Sequence, residues 1–190
     1  VLMEAGVTST SANTVRSVIE NRKLAGAGAN ALTVTTAAGS TSLTAPTLSQ
    51  MFNGVTSMHL AGNDAGDSMG YVFPDGAANV FGYRNAYSDK WSSINQNASQ
   101  NPPGDPTVTE RYQLLSRPYP AQPTDQSFSY VLLPGATTSD VDVYRTTPEV
   151  QTLTNTASVQ AVEEKSLGIV AANFWNDRPT TIDRGGSDWL

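Results

Sequence analysis

The chain has 190 residues, a formal net charge of −6, one histidine and no cysteine. Hydrophobic residues make up 38% and charged residues 15%, and the abundant Ser, Thr, Asn and Gln suit sheet faces and long loops, which argues against disorder. The acidic balance without a Lys/Arg cluster excludes general affinity for nucleic acid or anionic membranes. The missing cysteines exclude disulfides, thiolate zinc sites and a cysteine nucleophile, and no apolar run approaches membrane-spanning length. VLMEAGV at the start reads as the inside of a strand, so the chain is expected to be a piece of a longer polypeptide. In residues 13–22, NTVRSVIENR, helical spacing of Val15, Val18 and Ile19 competes with β-branched content, which favours an extended segment with a bend. The Gly, Ala, Ser and Thr-rich stretch that follows holds one strand at 32–35. A short strand at 58–60 leads through the turn cluster AGNDAGDSMG into GYVFPDG, where Tyr71 and Phe73 share a side and Pro74-Asp75-Gly76 turns the chain.

Val80, Phe81 and Tyr83 mark a further strand, with Trp91 and Ile94 just beyond it, and residues 95–107 read as an exposed loop. TVTERYQLL is an alternating strand. SFSYVLLPG, 127–135, sets Phe128, Tyr130 and Leu132 against Ser127, Ser129 and Val131, the pattern of a strand with one packed face, and Pro134-Gly135 stops it. TTSDVDVYRTTP predicts one helix capped by Ser139 or Asp140. VQTLTN is the next strand, and SVQAVEEKSLGIVAANFW gives two strands paired about a polar turn at 163–166. Periodicity is lost from Asn176 onward. Many short strands, frequent turns and at most one or two helices predict an all-β, antiparallel sandwich or a larger stacked-sheet assembly, with all strands in the same sheets.

The catalytic inventory is thin. His59 is the single histidine, so a Ser-His-Asp triad would need it as base. Ser57 lies on the same strand face, yet no nucleophile elbow surrounds it, and a packing role for His59 is favoured. Asn63 to Asp67 resembles a calcium loop in composition alone and reads as a solvated turn. Asp140 with Asp142, and Glu163 with Glu164, read as helix-start and turn charges, so no catalytic residue, metal site or cofactor site is assigned. The aromatics Tyr71, Phe73, Phe81, Tyr83, Tyr87 and Trp91 could stack on sugar rings, although Phe73, Phe81 and Trp91 are expected to fill the core. Arg84, Arg117 and Arg145 could hold a carboxylated sugar through the guanidinium fork.

The ordered series VLMEAGVTSTSANTVRSVIENRKL, GYVFPDG, KWSSIN, ERYQLL, SFSYVLLPG, VQTLTNTASVQAV and LGIVAANFW resembles polysaccharide lyase family 8, which includes hyaluronate, chondroitin AC and xanthan lyases. The resemblance implies a secreted bacterial enzyme with an α/α toroid carrying most of the active site, a central β-supersandwich of the galactose-mutarotase-like kind, and a smaller β domain. Residues 1–175 would be the later part of the supersandwich, and 176–190 a tail or linker toward the next domain. The implied chemistry is β-elimination in an acidic, uronic-acid-containing polysaccharide. An Asn neutralises the uronate carboxylate, and Tyr with His moves the protons before the C4 oxygen leaves. Those groups belong mostly to the toroid, so the partners of this chain would be the polysaccharide and the remainder of the same enzyme. Family members commonly carry a His-Gly pair where this chain has Ser116-Arg117-Pro118-Tyr119. Arg117, Tyr119, Tyr83 and Trp91 remain as candidate substrate-binding residues. The competing readings are a stand-alone carbohydrate-binding domain using the Tyr71 to Trp91 aromatics, and a purely structural β-module.

Overall fold

The computed structural model describes residues 1–64, 66–176, 182–183 and 188–189. Along the chain run β1 (Leu2–Val7), β2 (Arg16–Lys23), β3 (Leu32–Thr36), β4 (Gly39–Leu43), β5 (Leu48–Leu60), β6 (Met69–Val72), β7 (Ala78–Asp89), β8 (Val108–Pro118) and β9 (Gln126–Pro134). One helix, α1 (Thr138–Thr146), precedes β10 (Val150–Asn155), β11 (Val159–Glu164) and β12 (Ile169–Phe174). Most of 176–190, expected as a tail or linker, lies outside the described residues, and within it β13 (Ile182–Asp183) pairs with β14 (Asp188–Trp189). The segment at 13–22 is the strand its β-branched residues favour.

The large sheet runs β1-β9-β6-β5-β7-β8-β2, with β3 also on β5 and β4 on β3, all antiparallel. Its corner is β5, ten residues longer than the three-residue strand expected at 58–60. Leu48 to Phe52 and Val55 pair with β7, whereas β3 pairs from Val55 onward and β6 from Ser57 onward. Between Phe52 and Val55 the register shifts and Gly54 takes φ +68, a bulge that bends the strand from one layer into the other at no steric cost. The layers enclose a core drawn from β2, β3 and β5 to β9, including Ile19, Leu32, Val55, Met58, Tyr71, Val80, Leu115 and Tyr130.

Strands β1 and β2, the two ends of that run, meet at a side-chain seam. Glu4 on β1 accepts a hydrogen bond from Ser17 Oγ on β2 at 2.6 Å. Strand β9 is packed on both faces, not one. Tyr130, Phe128 and Leu132 face the main core, while Val131 and Leu133 lie under α1 with Val72 and Val141. The α1 cap is Thr137 rather than Ser139 or Asp140. Its side chain accepts from the Asp140 N–H, and Asp140 accepts from the Thr137 N–H, a reciprocal capping box.

Contrary to the expectation that all strands share the same sheets, those after α1 form a separate one in the order β10-β11-β12. The β11/β12 hairpin is present, with its turn just past Glu164, whose carboxylate accepts from the backbone N–H of Ser166 and Leu167. Asn155 joins the two sheets by donating from Nδ2 to the carbonyls of Glu4 and Phe128 at 3.1 and 3.2 Å. Among the described residues no helix is long and apolar enough to cross a membrane.

Candidate functional site

Strand alternation sends one side chain of each pair on β7 and β8 into the core and the next outward. Tyr83 opposite Leu114, Asn85 opposite Tyr112 and Tyr87 opposite Glu110 therefore share the outer face. Tyr87 meets Tyr112 edge-on at 6.1 Å, and Tyr83 stacks on Phe81 at 6.4 Å. Two adjoining shallow grooves of about 290 and 280 Å³ share Tyr87 and Tyr112; the first also takes in Tyr83 and the second Trp91. Trp91 is 47% exposed and Tyr87 54%. Of the three rings expected in the core, only Phe73 is there. Phe81 is half-buried on the outer face beneath the Arg16 guanidinium, 4.5 Å from its centroid, and Trp91 lies in the short 3-10 turn just after β7. Asn85 Nδ2 donates to the Tyr83 hydroxyl at 3.0 Å, and Lys23 Nζ pairs with Glu110 at 2.7 Å at the rim.

Arg117 and Tyr119 lie elsewhere, where β8 ends, β9 begins and the 73–77 turn joins β6 to β7. Tyr119 is 3% exposed and donates to Glu4 Oε1 at 3.1 Å, so it is an inner strut and not the edge contact expected. Burial, followed by the Glu4 charge, pushes its phenol up, opposed by a Ser17 hydrogen bond. The Arg117 guanidinium stacks 5.7 Å from the centroids of both Tyr119 and Phe128 and faces a cavity of about 240 Å³. The four candidates thus form two places, Tyr83 with Trp91 and Arg117 with Tyr119. The sequence reading missed Tyr112, Asp75 and Asn155 as contributors. The alternation in ERYQLL could have placed Tyr112 outward, but nothing local signals that Asn155 meets Phe128.

The remaining candidates are held in structural roles. His59 is 9% exposed, with Nε2 against the Ala136 carbonyl at 3.0 Å and Nδ1 against Thr138 Oγ1 at 3.3 Å, so both ring nitrogens tie the β9–α1 connection to β5. The Ser57 hydroxyl is buried without a partner among the described residues and makes no bond to His59. Asp67 accepts from the backbone N–H of Asn63 and Asp64, which closes the turn. Arg145 pairs with Asp142 at 3.4 Å. Arg84 is fully buried and is consumed by Gln113 and backbone carbonyls, so it is not available to a sugar.

Residues 1–145 match the model of the polysaccharide lyase family 8 super-sandwich domain. The chain belongs to polysaccharide lyase family 8. Residues 151–187 match the family's C-terminal beta-sandwich domain, so the two family models divide the chain between α1 and β10, where the sheets change. The chain is 40% identical to a xanthan lyase of Bacillus sp. over 96% of its length, which is 19% of that relative. It is 34% identical to a hyaluronate lyase of Thermasporomyces composti over 60% of the chain and 14% of that protein. The solved Paenibacillus xanthan lyase superposes with a TM-score of 0.85 at 39% identity, covering 95% of this chain and 17% of that one. The chain spans under a fifth of these relatives and is a fragment of such an enzyme, with the all-β sandwich architecture of the family's super-sandwich domain.

Proposed function

We propose that the protein containing this chain is a secreted lyase that cleaves an acidic, uronic-acid-containing polysaccharide by β-elimination, and that this segment scaffolds and walls the substrate cleft. The carrying observation is 40% identity to a xanthan lyase across 96% of the chain, a stretch that takes in both family domains. The chemistry removes the C5 proton of the uronate, forms the C4–C5 double bond and expels the C4 oxygen with the leaving sugar. Neutralising the carboxylate stabilises the carbanion-like transition state. Nothing in the described residues is free to act as the proton-transfer pair, since His59 is bound at both nitrogens and Tyr119 is an inner strut. The catalytic groups are accordingly assigned to the α/α toroid of the same enzyme. A polymeric substrate that cannot cross a membrane intact supports action outside the cell.

On this chain, Tyr83 and Trp91 are the contacts proposed for the polymer, because their rings line exposed grooves where a flat sugar face can stack. The test is the ultraviolet absorbance of unsaturated uronate product, with xanthan, hyaluronate and chondroitin offered to the full-length protein and to the 190-residue chain. Product from the full-length protein alone supports the reading. Product from the chain alone, or from neither with all three polymers, defeats it.

A further inference from the structure

Two arginines project from the inner faces of β7 and β8, and their surroundings differ. Arg84 is 1% exposed and each nitrogen has a partner: Nε donates to Gln113 Oε1 at 2.8 Å, Nη1 to the carbonyls of Gly28 and Ala45 at 3.1 and 2.9 Å, and Nη2 to the carbonyl of Asn30 at 2.8 Å. Arg117 is not treated so. Its Nε is buried without a partner among the described residues, and Nη1 meets the Asn79 carbonyl at a long 3.5 Å. A buried donor left unpaired costs roughly 1–3 kcal/mol, and of the terminal nitrogens of this cavity-lining guanidinium only Nη1 has a partner among the described residues, at that long distance, so donor capacity remains for an acceptor in the cavity.

That cavity, of about 240 Å³, is lined by Phe73, Asp75, Ser127, Phe128, Ser129 and Asn155 besides Arg117. It sits at one end of the sandwich, the kind of mouth where β folds commonly hold ligands. Asp75 is exposed on the 73–77 turn, oriented by the hydroxyl of Ser129, which donates to its Oδ2, and it is not ion-paired with Arg117. Phe73 and Phe128 form a tilted pair at 5.8 Å along the apolar wall. An anion here would meet Asp75 and a cation would meet Arg117. Vicinal hydroxyls satisfy both, accepting from the guanidinium and donating to the carboxylate, while a ring's C–H face rests on the phenylalanines. The volume falls below the roughly 300–1,000 Å³ of pockets for drug-sized ligands, which suits one ring rather than an oligosaccharide.

We infer that this cavity is a binding site for a single neutral pyranose ring, held between Arg117 and Asp75 over Phe73 and Phe128. The site requires no elimination chemistry, so it stands or falls separately from the lyase reading. Saturation-transfer NMR on the full-length protein tests it, with methyl α-D-glucopyranoside and D-glucuronate as probes. The neutral glycoside is expected to bind with a Kd of about 1–10 mM and more tightly than glucuronate. Binding should weaken at least tenfold in Arg117→Met, which keeps the apolar stem over the rings, and in Asp75→Asn, a change on an exposed turn that spares the core. Tighter binding of glucuronate, unchanged glycoside binding in either folded variant, or no binding of the glycoside overturns the inference. Elimination by the wild-type protein, measured alongside, separates failure of this site from failure of the family reading.

Discussion

Tyr71 on β6 donates to Glu20 Oε2 on β2 at 2.6 Å, a single hydrogen bond across the core from one layer to the other. Burial first, then that bond and the Glu20 charge, push its phenol far above the ordinary range, and burial likewise raises Tyr130 and Tyr119. A raised folded-state value means that these groups contribute fully below the unfolded-state value of about 10 and lose that contribution as pH climbs above it, because only the unfolded chain then releases the proton. Urea unfolding should accordingly show stability falling above about pH 10. Tyr71→Phe should flatten that fall and cost roughly 1–2 kcal/mol at neutral pH through the lost bond. An equally steep alkaline fall in the variant would show that Tyr71 is not its source. Arg84 makes a sharper case. Arg84→Met keeps the stem but strands Gln113 and the carbonyls of Gly28, Ala45 and Asn30, so a loss of about 3 kcal/mol or more is expected. Arg84→Lys should not restore it, since one ammonium cannot reach the spread that the guanidinium fork spans.

At the scale of elements, α1 lies directly on β6 because residue 70 has no side chain; a Cβ there would collide with Val141 Cγ2 and crowd Leu133. Gly70→Ala should therefore cost about 1–3 kcal/mol by overpacking, and Val141→Ala in the same chain should recover part of it. A double-mutant cycle by thermal unfolding reads this out, and strict additivity would mean that the helix simply shifts away. Thr137→Ala, which removes the cap, should cost roughly 0.5–2 kcal/mol. The helix itself was legible from a cap candidate at its start and from Pro148 at its end, but Ser139 and Asp140 drew attention from Thr137, although Asp140 three residues after Thr137 is the capping-box spacing. Strand β5 was mostly illegible. Asn53 and Gly54 break its alternation, and the break is the bend that carries it between layers, a tertiary demand that no local pattern expresses. The outer site was half legible for the same reason: Tyr83 and Trp91 announce themselves, whereas Tyr112 joins them only through the β7/β8 register.

For the whole molecule, what matters is which sheet edges the chain closes and which it leaves open. The ends of the β1-to-β2 run are tied to each other, since Glu4 accepts from both Ser17 and Tyr119 and so links β1 to β2 and to the segment after β8, while the remaining edge strand β4 presents short polar side chains. The second sheet has no such seam. Among the described residues β12 pairs only with β11, its other edge carries unpaired backbone groups, and every residue from Ile169 to Phe174 is exposed. Ile169, Val170, Phe174 and Trp175 make that edge apolar, the combination that templates pairing with another chain. This region, residues 151–187, matches the model of the family's C-terminal beta-sandwich domain. The isolated chain should therefore self-associate as its concentration rises, in sedimentation velocity, and bind a hydrophobic dye such as ANS. Val170→Lys with Phe174→Lys should restore a monomer without shifting the unfolding midpoint of the large sheet, because neither side chain belongs to its core. A wild-type chain that stays monomeric at every concentration would show that this edge is already covered, and the charged pair would then change nothing.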